Sequence, residues 1–203
     1  MRMNALTHEE ATAVIRTAVD NGIDYFDHAD IYGRGTSEEI FGKAFKELGI
    51  ARDSVMLQTK CGIVPGVMFD FSKEHIIASV EGSLKRLQTD YVDALLLHRP
   101  DTLMEPEEVA EAFDALHKAG KVRHFGVSNQ NPMQIELLKK AVTQPLLINQ
   151  LQLSLTHAPM IDAGFNVNMM NNPSFMHDGS VLEYSRISDM TIQPWSPFQA
   201  GNG

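Results

Sequence analysis

The hydrophobic positions along the chain alternate between two spacings, and this alternation predicts a parallel α/β fold. Apolar residues three or four positions apart predict helices, and short continuous apolar runs predict strands that are buried on both faces. Predicted helices begin near residues 7, 36, 72, 106 and 131, and predicted strands begin near residues 23, 55, 91, 122, 146 and 191. Strands separated by helices in this way are typical of repeated βαβ units.

Local signals place the starts of several predicted helices. Thr7 and Thr36 each precede a glutamate by three residues, which is the pattern of a capping box. Ser72 is a good N-cap residue, and Pro106 and Pro132 suit the first turn of a helix. The alternation fails over residues 157–180, which are rich in Asn, Met and Pro. This segment predicts a long loop, of the kind that is usually functional or mobile.

Composition and charge narrow the class of protein. The chain has 203 residues, which suits one domain over residues 1–203, and its formal net charge is −9. This acidic balance argues against nucleic acid as a partner, because phosphate backbones attract clusters of Lys and Arg. No apolar run is long enough for a membrane span, so no membrane partner is expected. Cys61 is the single cysteine, which excludes an intramolecular disulfide and favours the reducing cytoplasm.

The number of predicted strands leaves the architecture open. Six strands are enough for an open doubly wound sheet, whereas a (β/α)8 barrel needs eight strands and typically about 250 residues. The first predicted helix begins at Thr7 with no strand before it, and the sequence stops soon after the sixth strand. If the fold is a barrel, we therefore expect the chain to lack segments at both ends. The oligomeric state stays open.

Unusual polar residues follow the predicted strands at their carboxyl ends. Asp27, Lys60 and His98 end the first three strands, and Tyr32 lies in the loop after the first. Because the carboxyl ends of parallel strands meet at one edge of the sheet, we expect these side chains to lie close together. An acid, a phenol, an amine and an imidazole suit protonation of a carbonyl oxygen that becomes an alkoxide. No side chain can supply the hydride, so a nicotinamide cofactor is expected.

Each of these residues alone has an ordinary structural role, and other functions are compatible with the set. A strand-end aspartate is usually a turn residue, and a lone lysine is usually a solvated charge. The joint placement at strand ends favours a reactive site. One alternative is a non-catalytic NADP-binding sensor or partner-binding protein on the same scaffold, or an inactive truncated fragment. Another is a Schiff-base aldolase or isomerase that uses Lys60 as its nucleophile.

Several segments resemble the aldo-keto reductase family in matching order. They are GIDYFDHADIYGRGTSEE (22–39), TKCG (59–62), SVEGSLKRLQTDYVDALLLHRPD (79–101), GKVRHFGVSN (120–129), INQLQLS (148–154) and PWSP (194–197). The resemblance implies a (β/α)8 TIM barrel, incomplete here with about six of its eight strands. It also implies reduction of a small aldehyde or ketone with NADPH, in preference to NADH, and no Rossmann domain.

The resemblance also assigns roles to residues of this chain. Tyr32 would be the proton donor, with Lys60 and Asp27 as the pair that assists it, and His98 would orient the carbonyl. Positions that match the family's cofactor-binding residues are Ser128, Asn129 and Gln150 for the nicotinamide carboxamide, Trp195 for the nicotinamide ring, and Ser196, Pro197, Phe198 and Gly201 for the loop along the pyrophosphate. The family's first strand and its site for the adenosine 2′-phosphate have no counterpart, which predicts weakened cofactor binding. His28 is expected to face the barrel wall.

Overall fold

A computed structural model describes residues 2–175 and 177–198, and its first strand begins at Tyr25. In chain order the strands are β1 (Tyr25–Asp27), β2 (Met56–Cys61), β3 (Ile63–Val64), β4 (Met68–Phe69), β5 (Val92–Leu97), β6 (Val122–Ser128), β7 (Leu146–Gln152) and β8 (Thr191–Trp195). Strands β3 and β4 form a separate antiparallel hairpin. The other six strands pair in parallel as one sheet, which agrees with the six strands that the sequence predicts.

The order of strands in this sheet identifies the architecture. It is β1-β2-β5-β6-β7-β8, so each connection leads to the next neighbour and the order never reverses. An open doubly wound sheet contains such a reversal, whereas a barrel does not. A contact across the interior shows that the sheet is also strongly curled. The Gln58 amide on β2 donates to Gln193 Oε1 on β8 at 2.7 Å, although the two strands are not neighbours in the sheet. The fold is therefore a curled parallel half-barrel, which confirms the prediction of an incomplete (β/α)8 barrel.

Helices cover the outer face of the sheet. They are α1 (His8–Asp20), α2 (Thr36–Glu47), α3 (Lys73–Leu87), α4 (Pro106–Lys118), α5 (Pro132–Lys139), α6 (Pro159–Phe165) and α7 (Val181–Ile187). Each of the first five buries an apolar stripe in the main core, for which Ile15, Phe41, Val80, Phe113 and Leu138 are representative. Burial of one such side chain contributes roughly 1.5–3 kcal/mol. Within the described ranges, no helix combines the length and the apolar character that a membrane crossing requires.

The predicted helix starts are confirmed with one exception. Thr7 forms the predicted capping box with Glu10, and Ser72 caps α3. The capping box predicted at Thr36 is wrong: α2 begins at Thr36 itself, and its N-cap is Gly35, which has a φ of 94°. The Thr36 hydroxyl instead donates to the carbonyl of Gly33. A left-handed glycine turns the chain directly into the helix here, so no side-chain cap is needed.

The loop predicted over residues 157–180 is only partly correct. The segment contains α6 and a 3₁₀ turn at Asn172–Ser174, and α7 follows it directly. In α6 only Met160 is buried, so the helical spacing of apolar residues is too weak to be recognised in the sequence. Strand β1 also begins later than predicted, at Tyr25 instead of near residue 23, and it ends at Asp27 as predicted.

Candidate active site

The predicted polar residues surround one cavity at the carboxyl edge of the sheet. Asp27 is the last residue of β1, Lys60 lies near the end of β2, and His98 directly follows β5. Parallel pairing of these three strands places their carboxyl ends at the same edge. The cavity has a volume of about 460 Å³, and its walls include Asp27, Tyr32, His98, Ser128, Asn129, Gln150, Trp195, Ser196 and Pro197.

Lys60 lies beneath this cavity and is held by several acceptors. Its side chain is completely buried, and its Nζ donates to both carboxylate oxygens of Asp27 at 2.7 Å. It also donates to the carbonyl oxygen of His28 at 2.8 Å and lies 3.4 Å from the hydroxyl oxygen of Tyr32. A buried ammonium is tolerated only when it is paired in this way. The arrangement therefore fixes a positive charge beside the phenol.

The loop after β1 brings Tyr32 to this position. The backbone N–H groups of His28 and Asp30 donate to carbonyls of β2, which extends the pairing beyond the end of β1. Tyr32 then begins a 3₁₀ turn in which Gly33 and Gly35 have φ angles of 59° and 94°. A Cβ atom on Gly33 would lie 2.5 Å from the Thr36 hydroxyl oxygen. Glycine is therefore required for the turn that directs the phenol into the cavity.

His98 faces Tyr32 from the other side of the cavity. The two rings lie edge to face, with centroids 5.8 Å apart. Burial, and then the positive charge of Lys60, lower the pKa of His98 to about 3. Its Nδ1 atom is buried and has no hydrogen-bond partner among the described residues. The imidazole is thus neutral at physiological pH, and it retains one N–H that can donate to a ligand.

A chain of hydrogen bonds builds the opposite wall. The Trp195 indole N–H donates to Asn129 Oδ1 at 3.0 Å, and Asn129 Nδ2 donates to Ser128 Oγ at 2.9 Å. The Ser128 hydroxyl in turn donates to the backbone carbonyl of Gln150 at 3.1 Å. These contacts join the ends of β6, β7 and β8, and they fix the orientation of the indole ring that borders the cavity.

The residues predicted to follow the pyrophosphate differ in whether they line the cavity. Ser196 and Pro197 line the cavity. Phe198 is 96% exposed and does not line it, so the structure does not bring this residue together with the others. Gly201 lies outside the described residues.

The structure adds residues that the sequence analysis missed. Gln58 is completely buried and hydrogen-bonds to Asp27, and Gln193 on β8 hydrogen-bonds to Gln58 and Gln150. Arg2 and Arg99 also border the cavity. One signal in the sequence could have identified Gln58: it interrupts a predicted buried strand, and a buried amide needs partners.

The geometry also bears on the other predictions. A Schiff-base nucleophile needs a neutral, accessible amine, whereas the Lys60 amine is buried and paired with Asp27. His28 packs edge-on against Phe41, with ring centroids 4.4 Å apart. Burial lowers the pKa of His28 well below its usual value, so this ring is a neutral part of the wall, as expected.

Comparisons with known proteins agree with this geometry. A family model described as "Aldo/keto reductase family" matches residues 1–201. The chain is 44% identical over 178 residues to the uncharacterized oxidoreductase YcsN of Bacillus subtilis, an alignment that covers 82% of this chain and 59% of YcsN. It is 37% identical to a 6-dehydroglucose reductase of Agrobacterium fabrum, with 94% of this chain and 62% of the relative covered.

Solved structures give the same result. The aldo/keto reductase from Klebsiella pneumoniae in complex with NADP and acetate superposes with a TM-score of 0.77 and 27% identity, covering 100% of this chain and 63% of that one. Aldo-keto reductase AKR11C1 from Bacillus halodurans, in its holo form, superposes with a TM-score of 0.78 and 25% identity. The superposition covers 98% of this chain and 61% of that one. The chain thus spans about three fifths of the length of these relatives.

Proposed function

The chain belongs to the aldo/keto reductase family, and from this premise we propose that it reduces a small aldehyde or ketone to an alcohol with NADPH as the hydride donor. The observation that carries the proposal is the position of the Lys60 ammonium, which lies between the Asp27 carboxylate and the Tyr32 hydroxyl. Reduction of a carbonyl needs a proton for the oxygen and a hydride for the carbon. The cavity offers residues that can donate the proton, and it offers a binding surface for the cofactor that would supply the hydride.

Tyr32 is the proposed proton donor. Its hydroxyl oxygen lies 3.4 Å from the Lys60 ammonium, and a nearby positive charge favours the phenolate that remains after the proton has left. Asp27 keeps this charge in place through two short contacts. The Tyr32 hydroxyl therefore lies beside a fixed positive charge, and it can protonate an oxygen on which negative charge develops.

His98 is the proposed orienting group for the substrate carbonyl. Because its imidazole is neutral, it can donate one hydrogen bond without carrying a competing positive charge. The ring faces Tyr32 across the cavity. A carbonyl oxygen between the two side chains would accept a hydrogen bond from each, and it would thereby be held where the proton is delivered.

The opposite wall fits a nicotinamide. When bound there, NADPH would supply the hydride. The Gln150 Oε1 atom has no hydrogen-bond partner among the described residues, although its Nε2 atom has two. It is therefore free to accept from a carboxamide, while Trp195 offers an aromatic surface. Asn129 and Ser128 complete this proposed contact, and the loop residues Ser196, Pro197, Phe198 and Gly201 are the proposed path of the pyrophosphate.

Replacement of Tyr32 by Phe tests the proposal. Tyr32→Phe removes only the hydroxyl, so we expect kcat for NADPH-dependent aldehyde reduction to fall about 10²–10⁴-fold, the usual contribution of a general acid. The affinity for NADPH, measured by quenching of the fluorescence of Trp195, should not change. Tyr184→Phe makes the same chemical change on α7, away from the cavity, and serves as the matched control.

Two results would count against the proposal. Turnover that survives in Tyr32→Phe would remove this residue as the proton donor. Tight NADPH binding by the wild-type chain, without reduction of any carbonyl in a broad panel, would instead favour the non-catalytic sensor.

A further inference from the structure

Three glutamine side chains form a connected group inside the curled sheet, next to the candidate active site. They are Gln58 on β2, Gln150 on β7 and Gln193 on β8, and we refer to them as the amide bridge. Gln58 and Gln193 are separated by 135 positions in the sequence. Their contact crosses the interior and joins one side of the half-barrel to the other.

Gln58 is completely buried, and it contacts the acid–base residues through Asp27. Its Nε2 atom donates to Asp27 Oδ1 and, at 2.7 Å, to Gln193 Oε1. Its Oε1 atom accepts from the Tyr25 hydroxyl at 2.7 Å. Since each polar atom of this buried side chain has a partner of the right kind, the amide has one favourable orientation.

Gln193 determines the orientation of Gln150. Its Oε1 atom accepts from the Nε2 atoms of both Gln58 and Gln150, and Gln150 Nε2 also donates to Asp27 Oδ2 at 3.1 Å. If the Gln150 amide flipped, its oxygen would face two acceptors, the carbonyl of Gln193 and the carboxylate of Asp27. The flip is therefore disfavoured, and Gln150 Oε1 remains available to a ligand.

From this geometry we propose that Gln58 and Gln193 are positioning residues, which hold the Asp27 carboxylate and the Gln150 amide in the orientations that the reaction requires. The proposal rests on the proposed function, since it concerns the same site. It links the proton-donating side of the cavity to the cofactor-binding side through direct hydrogen bonds. Neither glutamine touches the substrate in this scheme.

Substitution of Gln58 by Met tests the contact with Asp27. Met has a similar volume but cannot donate to the carboxylate, so the carboxylate takes up a proton more readily. We expect the acidic limb of the pH profile of kcat/KM to move upwards by roughly one pH unit. Tyr25→Phe is the matched control, because it removes a hydrogen bond from Gln58 but none from Asp27, and it should leave the limb in place.

A shift of the acidic limb can be traced to Gln58, because Gln58→Met retains every charged and titratable group near Asp27. The charged and titratable groups that face or border it are Lys60, Tyr25, Tyr32, His98, Arg2 and Arg99. Only Tyr25 is changed, and only in the control. An acidic limb that moves equally in Gln58→Met and Tyr25→Phe would overturn the proposed role of Gln58.

Variants of Gln193 test the orientation of Gln150 without turnover. Gln193→Met removes the acceptor, so we expect NADP⁺ affinity, measured by Trp195 fluorescence, to fall about tenfold, which is the loss of about one hydrogen bond. Gln193→Glu retains an acceptor for Gln150 and should recover most of the affinity. Equal losses in both variants would indicate a merely structural role and would overturn the proposal for Gln193.

Side-chain amide hydrogen exchange, measured by NMR, separates this proposal from the proposed function. In the wild-type chain without cofactor, the amide protons of Gln58 and Gln150 should exchange slowly, and Gln193→Met should accelerate exchange at Gln150. Slow, Gln193-dependent exchange in a chain that reduces no carbonyl would refute the proposed function but retain the amide bridge. Fast exchange at both side chains in an active chain would refute the amide bridge alone.

Discussion

The two members of the Asp27–Lys60 pair should contribute unequally to stability, because they are unequally buried. The Lys60 side chain is completely buried, whereas 34% of the Asp27 side chain is exposed. Among the described residues, Asp27→Ala leaves the buried ammonium with two acceptors, the His28 carbonyl and the more distant Tyr32 hydroxyl. Lys60→Met leaves a carboxylate that retains water and two amide donors.

The expected magnitudes follow from these surroundings. The Asp27→Ala chain can fold with Lys60 as a neutral amine. Removal of the Lys60 proton costs about 1.4 kcal/mol for each pH unit below the reference pKa of a lysine side chain, about 10.4. This sets a ceiling of about 4.6 kcal/mol at pH 7, and unpairing a buried charge typically costs about 3–5 kcal/mol. We therefore expect a loss of about 3–4.6 kcal/mol. Lys60→Met should cost only about 1–2 kcal/mol.

The dependence on pH distinguishes the two variants further. In Asp27→Ala the unfolded chain binds more protons than the folded chain, so the free energy of unfolding should rise with pH by up to about 1.4 kcal/mol per unit. Lys60→Met leaves no buried ammonium, so its stability should show no such recovery as the pH rises. The double variant removes both charges, and it should be more stable than Asp27→Ala alone.

Urea unfolding at pH 7, 8 and 9, followed by circular dichroism, measures these differences. The wild-type chain provides the reference at each pH, because a change of pH also changes the ionisation of other groups in the chain. Equal costs for the two single variants, or a cost for Asp27→Ala that does not change with pH, would refute the assignment of an ammonium that depends on Asp27.

Two further predictions concern charges outside the cavity. Burial, and then a neighbouring carboxylate, raise the pKa of Asp30 from 3.8 to about 6, so its contribution to stability is full below pH 4 and is lost as the pH rises through 6. Asp30→Asn should therefore be more stable than wild type at pH 8, by at most about 3 kcal/mol, and not at pH 4; equal differences at both pH values in urea unfolding would contradict this. Asp93 accepts from two arginines and from the backbone N–H of Leu57, so Asp93→Ala should lower the free energy of unfolding by about 3 kcal/mol, against little change for the exposed Asp90→Ala. If the free energy of unfolding of Asp93→Ala, measured by thermal or urea unfolding, fell by less than about 1 kcal/mol, the three contacts of this buried carboxylate would not stabilise the fold as proposed.

Much of the fold could be predicted from the sequence because its signals are local. The spacing of apolar residues and the caps at Thr7 and Ser72 depend on residues within about one helical turn. They identify the main helices and the six strands of the sheet. The short helices α6 and α7 were missed because each buries too few side chains to produce a clear period.

The candidate site could be predicted for a different reason. Parallel strands connected by helices have their carboxyl ends at one edge, so strand-end residues such as Asp27, Lys60 and His98 must be neighbours. This rule needs only the type and order of the elements. It does not state how far the sheet curls or how deeply each side chain lies.

The curvature of the sheet is what only the tertiary structure decided. It brings β2 and β8 close enough for Gln58 and Gln193 to bond across 135 positions of sequence, which no local period encodes. It also buries Lys60 completely while leaving Asp27 partly open to water. By itself the sequence determined which residues lie at the edge of the sheet. The packing of the curled sheet determined which of those residues are desolvated, and desolvation sets the strength of the charges and hydrogen bonds that the proposed chemistry uses.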